Sequence, residues 1–447
     1  MMRSGSSLMS LHTSVATAVT NSSSPNEELL ENFNSMLLVA ETLHANGQET
    51  RQTIACVTRM SKAFQYESHL SIGWEGIYLQ VSDGTTTLNR FIAVQPSKIN
   101  MTQVAATMKT VAIFEKQRKT AISLKDELLL IDKLPSSNKY IFIFACVAGA
   151  VALSIIFGAK NPHAMVLIAI SAGLGAWLRR VLSKVKVNVL LQTFAPALLA
   201  GIIGAIAVKL NVSTEARLVA VCPCMILVPG PHLLNGTMDL GELRLPLGIA
   251  RLSFAMLTIF TICAGLLIGL GICGESLPPS AASLSIPFWV DMIAAGIAAI
   301  SYGIFFSMPY KMLVFPLFAG MTAHLIRWEG MSAYHINVVM AACLACLVAG
   351  IIAAPLAKKY NLPFAGIGFA SVVSLIPGVF LFRMSSALIQ IEENNASSIV
   401  SLMGAMLSDG MVALLIIAAM AFGFVLARWL IDIFNNHIFK SSQEAME

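Results

Sequence analysis

Two Pro-Gly steps lie inside apolar stretches of the 447-residue chain, at Pro229-Gly230 and at Pro377-Gly378. Proline removes a backbone hydrogen bond from a helix and the adjacent glycine lets the chain turn, so each step predicts a broken helix. Pro231 fits the first position of the half-helix that follows, where a missing N–H costs nothing. The free N–H groups at the start of that half-helix form a partly positive end that attracts an anion. The breaks therefore predict a binding site for a small charged molecule, with tolerated kinks as the alternative.

Polar side chains follow both breaks. His232, Asn235 and Asp239 follow the first break, and Arg383 and Ser385 follow the second. Broken helices in corresponding positions of a membrane protein are typical of a transport site. The predicted substrate-binding residues are Pro229, Gly230, His232, Asn235, Asp239, Arg251, Pro377, Gly378, Arg383 and Ser385.

Ionisable side chains in apolar runs are further candidates, because an ionised group in lipid costs roughly 2.5–3.5 kcal/mol unless it is paired or wetted. Arg251 lies inside such a run, and we predict Asp239 as its partner. A solvated loop is the alternative position for Asp239. Asp239, Asp291 and Asp409 are the candidates for proton coupling. Asp291 and Asp409 lie close to predicted span ends, so an interfacial position is the alternative for both.

The composition predicts a membrane protein. Apolar residues make up 56% of the chain and charged residues only 12%, about half the charged share of a soluble domain. Of the 53 charged residues, 25 lie in positions 1–139. This distribution predicts an N-terminal domain in water followed by a polytopic membrane domain, and it excludes a soluble enzyme. The net charge of +5 is small and spread out, so we expect no nucleic-acid partner.

Signatures of enzymes, cofactors and metals do not occur in the sequence. The eight cysteines have no metal-ligand spacing, and neither HExxH nor GxSxG is found. There is no GxxxxGK[ST] loop for the phosphates of ATP. His44 and His69 form no recognisable catalytic set with nearby carboxylates. We therefore predict no cofactor, no metal and no enzymatic activity.

The N-terminal third of the chain predicts a small α+β domain over residues 27–139. Residues 1–26 are rich in Ser and Thr and predict a disordered tail. Alternating segments flank Ser82-Asp83-Gly84 and predict a β-hairpin of residues 69–81 and 85–94. Helical spacing of apolar residues predicts helices over 27–45, 50–64, 101–118 and 123–134.

Ten apolar runs follow residue 139, and each predicts a transmembrane helix. Lys and Arg residues are enriched in the cytoplasmic loops of membrane proteins. The predicted inner loops and C-terminal tail hold ten of them against five in the outer loops, which favours both termini in the cytoplasm. The predicted spans are 140–158, 164–178, 189–208, 218–234, 246–271, 288–307, 312–326, 336–356, 364–382 and 401–430.

A weak internal repeat divides these spans into two sets of five. Leu227-Val228-Pro229-Gly230 recurs as Leu375-Ile376-Pro377-Gly378, 148 positions later, and Ala200–Ile203 recurs as Ala349–Ile352, 149 positions later. Because five is an odd number, the second copy must be inverted relative to the first. The predicted fold is an α-helical membrane protein of ten spans in two inverted five-helix repeats, 140–273 and 287–430, with a cytoplasmic tail over 431–447.

Several of these motifs resemble the threonine/serine exporter family. The resemblance in the first half rests on Val228-Pro229-Gly230, Asn235-Gly236, Asp239, Gly248 and Arg251. In the second half it rests on the Pro309–Gly320 stretch and the Pro377-Gly378 span, and in the N-terminal domain on Gly47-Gln48-Glu49-Thr50-Arg51. It covers about residues 27–430 and implies export of small amino acids from the cytoplasm, driven by the proton-motive force.

Three functions are consistent with the sequence. The first is proton-coupled antiport of L-threonine and L-serine across the plasma or inner membrane, by alternating access to a midplane site. The second is export of a dicarboxylate such as succinate, for which Arg251 and Arg383 would supply two cationic groups. The third is a channel or membrane scaffold whose cytoplasmic domain binds a partner. We expect a small-molecule substrate and membrane lipid as partners, and the sequence leaves a homo-oligomer open.

Overall fold

A computed structural model describes residues 25–117, 121–185, 187–210, 216–275, 286–360, 362–393 and 396–444. The predicted tail lies almost entirely outside the described residues. The described chain forms an N-terminal α+β domain followed by a bundle of long helices.

The N-terminal domain packs four helices with a three-stranded antiparallel sheet of order β1-β2-β3. Ile77, Leu79 and Val81 alternate along β2 and are fully buried among the helices, as expected of a half-buried strand. The elements are α1 Pro25–Ala45, α2 Thr50–Ala63, β1 Glu67–Ile72, β2 Gly76–Ser82, β3 Thr87–Ala93, α3 Met101–Gln117 and α4 Ala121–Asp132.

The predicted hairpin is present as β2 and β3, but its first strand is divided. In residues 69–81 the apolar side chains occupy even positions up to Trp74 and odd positions from Ile77. The chain turns at this change of phase, where the amide of Gly73 donates to the carbonyl of Gly76. The prediction of one continuous strand overlooked this change of phase and the two glycines beside it. The turn brings Trp74 to the tip of the first hairpin, towards the helix bundle.

The helix bundle contains most of the predicted spans. Within the described residues, seven helices are long and apolar enough to cross a membrane, or nine spans if each of two bent helix pairs counts as one. The bundle consists of α5 Lys139–Ile156, α6 Pro162–Lys184, α7 Val189–Lys209, α8 Ala216–Met225, α9 Gly230–Gly241, α10 Leu245–Ile272, α11 Phe288–Phe305, α12 Val314–Ser332, α13 Val338–Tyr360, α14 Phe364–Val372, α15 Gly378–Glu393 and α16 Ala396–Glu444.

The seventh predicted span, 312–326, corresponds to α12, which is too polar to count among the seven helices or the two bent pairs. Its helix carries His324, Arg327 and Glu329. The chain is therefore a multi-pass membrane protein, whereas the number ten and the inverted repeats stay predictions.

The chain bends at both Pro-Gly steps. The angle between α8 and α9 is 55°, and the angle at the second break, before α15, is 62°. The two breaks pack against each other, because α9 contacts α14 and α8 contacts α15. A Cβ at Gly230 would lie 1.5 Å from the Phe369 ring on α14, and a Cβ at Gly378 would lie 2.8 Å from Met225 on α8. Only glycine permits such close approach at either break.

The N-terminal domain rests on one end of the bundle, which we call the domain face. The amides of Met101 and Thr102 at the start of α3 donate to the carbonyls of Phe306 (3.0 Å) and Ser307 (3.1 Å), just beyond the end of α11. The start of α14 meets the same domain, since Gly366 packs on Met101. We call the opposite end of the bundle the far face.

Candidate functional site

A buried group of charged and polar side chains lies where the first broken helix, α10 and the N-terminal domain meet. Asp239 on α9 and Arg251 on α10 are 2% and 1% exposed, and Arg251 NH1 lies 3.1 Å from Asp239 Oδ2. The structure thus brings together the two residues predicted to pair. We call these two residues with Asn235 the polar cluster.

The polar cluster has spare hydrogen-bonding capacity. Among the described residues, no nitrogen of the Arg251 guanidinium has a hydrogen-bond partner, because the ion pair with Asp239 is close but not aligned for donation. Asp239 Oδ2 and Asn235 Oδ1 are likewise buried without one. A guanidinium offers five donors in a planar fork, and burying them unused is costly. The arrangement therefore presents donors and acceptors side by side in an enclosed site.

Further charges surround Asp239 at the domain face. Arg244, which precedes α10, has its NH1 atom 3.7 Å from Asp239 Oδ1 and also pairs with Glu242. Arg51 of the N-terminal domain lies 4.0 Å from Glu242. Asp239 is therefore the innermost carboxylate of an ion-pair network that leads to the surface.

The N-terminal domain closes the polar cluster with the loop between α1 and α2. Asn235 Nδ2 donates to the carbonyl of Gly47 at 3.0 Å, and Gln48, Glu49 and Thr50 are all buried. Gly47 has φ +86°, a left-handed conformation that favours glycine, with Ile99 directly beside it. The GQETR motif quoted above is thus the segment that enters the bundle.

Glu49 fastens this loop to α16 through an ion pair with Arg428. Burial raises the pKa of Glu49, and the guanidinium of Arg428 opposes that rise. On the surface nearby, Arg51 forms a second contact with α16 through Asp432 at 3.1 Å. The loop is therefore held by one largely buried and one exposed pair.

Aromatic and imidazole rings form the other side of this junction. The His232 ring lies 5.0 Å from Phe254 and 6.4 Å from Trp74, measured between centroids. His44 on α1 is fully buried. Burial, followed by the positive charge of Arg251, lowers the pKa of His44 to about 3, so it is neutral at pH 7. Sequence reasoning gave His44 no role because its partners lie far away along the chain.

The second break carries a different set of groups. Arg383 on α15 pairs with Asp409 on α16, with Nε 3.1 Å from Oδ2. Ser385 belongs to α15, but its side chain lies outside the described ones. Because α14 begins at the domain face, α15 leads from the break towards the far face. Arg383 therefore lies on the other side of the breaks from Arg251.

Asp291 contacts a residue that the sequence analysis did not single out. Its carboxylate lies 2.8 Å from Nδ1 of the buried His324 on α12. His324 stands in the predicted apolar run 312–326, and an ionisable residue in such a run is a functional candidate by default, so the signal was present. Among the described residues no group of three His, Cys, Asp or Glu side chains could hold a metal ion.

A narrow crevice runs beside the first break. Its walls are apolar apart from Thr237, whose hydroxyl already donates to the carbonyls of its own helix. The crevice separates the start of α9 from α14 and α16, and it is lined among others by Gly230, Leu234, Phe369, Ile376, Met420 and Phe424.

Comparison with known families gives two matches. Residues 34–273 match the family described as "Putative threonine/serine exporter", and residues 291–430 match the family described as "Threonine/Serine exporter, ThrE". No curated protein and no solved structure matches the chain. The resemblance seen in the sequence motifs is therefore confirmed over both halves of the helix bundle.

Proposed function

Because the chain belongs to the threonine/serine exporter family, we propose that it exports L-threonine and L-serine by proton antiport. This is a family of membrane transporters for small molecules rather than of enzymes. The observation that carries the proposal is the buried polar cluster at the first broken helix, in which a cation and an anion lie side by side with unused hydrogen-bonding atoms.

The polar cluster matches the charges of an amino acid. The substrate carries a carboxylate and an ammonium group, so its site needs one donor-rich and one acceptor-rich partner. Arg251 provides a planar fork that suits a carboxylate. Asp239, together with Asn235 Oδ1, provides acceptors for the ammonium group. The substrate would thus insert between two residues that are already in contact, and release of the substrate would let them pair again.

The position of the N-terminal domain supports alternating access. In the proposed orientation the domain face and both termini are cytoplasmic, in the plasma or inner membrane. The GQETR loop then blocks the polar cluster on the cytoplasmic side, held by Asn235 and Arg428. We propose that this loop must leave its position for a cytoplasmic amino acid to enter. Lipid would cover the exposed apolar side chains of the bundle, among them Phe144, Phe260 and Phe318.

The alternative substrates and functions receive less support. A dicarboxylate needs two cationic groups close together, whereas Arg251 and Arg383 lie on opposite sides of the breaks, and Arg383 is already paired with Asp409. A channel needs a continuous polar stripe, whereas the polar cluster and the apolar crevice lie side by side at the first break. A membrane scaffold does not account for a buried ion pair at a break.

Counterflow in proteoliposomes tests the proposal directly. We expect the purified chain to exchange labelled threonine and serine, but not succinate. Arg251→Lys keeps the charge and loses the planar fork, so exchange should fall by about tenfold or more. Arg59→Lys is the matched control, since Arg59 forms an exposed ion pair with Glu115 in the N-terminal domain.

The outcomes separate a substrate site from a purely structural pair. In a structural pair, Arg251→Lys should cost little, and Arg251→Asp combined with Asp239→Arg should restore exchange. Normal threonine exchange by Arg251→Lys would place Arg251 outside the substrate site. Exchange of succinate without exchange of either amino acid would replace the proposed substrate class with the dicarboxylate.

A further inference from the structure

A second buried group of polar side chains lies in the other half of the bundle. His324 on α12 is fully buried, and both of its ring nitrogens have partners. Nδ1 lies 2.8 Å from Asp291 Oδ2, and Nε2 lies 2.6 Å from the Ser374 hydroxyl. Asp291 and Ser374 are 5% and 3% exposed. Three residues that are far apart in sequence thus form one hydrogen-bonded chain inside apolar helices.

This chain joins the second break to the far half of the bundle. Asp291 lies in the first turn of α11, and α11 ends at the domain face after about 27 Å of helix. Asp291 is therefore near the far face. Ser374 belongs to the 3-10 turn Val373–Leu375, directly before Pro377. The imidazole lies between the two, so a change at His324 acts on a side chain of the segment that leads into the break.

Imidazole is the side chain whose charge changes most readily near neutral pH. In a neutral ring that donates from Nδ1 to Asp291, Nε2 accepts a hydrogen bond from Ser374. A proton added to this ring binds Nε2, which then donates to Ser374, and the serine hydroxyl must turn to another acceptor. Protonation thus forms one N–H bond and reverses the hydrogen bond at the break.

Two charged groups of opposite sign act on His324. Among the described residues, the charged groups that act on it are the negative Asp291 from α11 and the positive Arg327 from its own helix. The second break adds only the hydroxyl of Ser374. Asp239 and Asp409 are less suited, because each is paired with an arginine that a proton on the carboxylate would leave without its counter-charge.

We infer that His324, held between Asp291 and Ser374, binds the proton that this exporter exchanges for its amino acid. The inference rests on the proposed proton antiport. The route to the polar cluster is a series of direct contacts. The segment that ends at Ser374 also carries Phe369, which packs on Gly230 at the start of α9, and α9 carries Asp239. Movement of the second break is therefore transmitted to the first.

Transport driven by a pH difference separates proton coupling from substrate binding. The full chain is reconstituted with equal threonine on both sides, and a pH difference is then imposed while equal potassium and valinomycin hold the membrane potential at zero. For one proton per amino acid, each pH unit should give a threonine ratio of about tenfold at steady state. We expect His324→Gln to keep threonine exchange in the absence of a gradient, but to lower this ratio to near one. His163→Gln, a change at an exposed histidine, is the control and should behave like the wild type.

The protonation state of His324 is a second readout that needs no substrate. Nitrogen-15 NMR of the labelled full chain, with the signal assigned through His324→Gln, should show a titration between about pH 5 and about pH 9. In Ser374→Ala the ring should still titrate, whereas the threonine ratio should fall, because the link to the break is lost. A His324 that keeps one charge state over this range, or a His324→Gln variant that keeps the tenfold ratio, overturns the inference. If the wild type exchanges no amino acid at all, the proposed function fails, and the titration of His324 still decides whether this is a proton site.

Discussion

The packing of Phe369 on Gly230 predicts that even one added methyl group strongly slows transport. In Gly230→Ala the new Cβ would lie 1.5 Å from the ring, so about 2 Å of movement is needed to reach an ordinary contact distance. The Phe369 ring has little room to move, because it is buried and packs on the rings of Tyr302 and Phe306, with centroid separations of 6.1 Å and 6.0 Å. Tyr302 is itself fixed, since its hydroxyl donates to the Met225 carbonyl at 2.6 Å.

The magnitude follows from the cost of inserting a methyl group into a well-packed site, about 1–3 kcal/mol. If that cost falls on one of the transporting conformations, threonine exchange should drop by about 5- to 150-fold. Counterflow per reconstituted molecule measures this drop, and the thermal unfolding midpoint of the detergent-solubilised chain reports the loss of stability. Gly241→Ala is the matched control, because it lies at the end of the same helix with no atom within 4 Å of the added Cβ.

A compensating change distinguishes a clash from a loss of backbone freedom. Phe369→Leu removes the ring atoms that the new methyl group meets, so Gly230→Ala with Phe369→Leu should recover part of the lost exchange. If Gly230→Ala transports and unfolds like the wild type, the two breaks do not pack as described. If the double variant is no better than the single one, the glycine is needed for its backbone conformation rather than for close approach.

Two further predictions concern the contact between the N-terminal domain and the bundle. Glu49→Gln removes the main counter-charge of the partly buried Arg428 and should cost about 1.5–3 kcal/mol. Arg51→Gln removes only the exposed pairs with Asp432 and Glu242 and should cost about 0–1 kcal/mol. Unfolding midpoints of both variants, with limited proteolysis of the N-terminal domain, measure the difference, and equal effects would contradict the assigned burial. The lowered pKa of His44 predicts that the stability of the fold falls as the pH drops below about 6.5, because the unfolded chain then binds a proton that the folded chain does not bind until about pH 3. By pH 5 the loss should reach up to about 2 kcal/mol. His44→Gln should flatten the dependence of the unfolding midpoint on pH.

Features determined by local spacing could be predicted from the sequence. The Pro-Gly steps located both bends because proline and glycine act on their own backbone. The pairing of Asp239 with Arg251 followed from the rule that an ionised group in an apolar helix needs a nearby partner. The helices of the N-terminal domain followed from apolar periodicity. The turn at Gly73 was missed, although the apolar side chains change from even to odd positions there.

Contacts between distant segments could not be predicted. Glu49 and Arg428 are 379 positions apart, and neither residue type nor spacing connects them. His324 carried a visible signal as an ionisable residue in an apolar helix, but its partner Ser374 is an ordinary residue whose role comes only from the fold. The entry of the GQETR loop into the bundle likewise depends on how two separately folded parts meet.

In both halves of the bundle a broken helix is joined to the next span by an ion pair, although the polar groups around the two breaks differ. This similarity supports the proposed inverted repeats. In each half the helix after the break is tied to the next span by one arginine and one aspartate at 3.1 Å, but the charges are exchanged: the broken helix carries Asp239 in the first half and Arg383 in the second. Each break glycine packs on the broken span of the other half. Movement of one break should therefore displace the other. A proton bound near the second break and an amino acid bound near the first would thus act on one shared element, which is the physical requirement for exchanging one for the other.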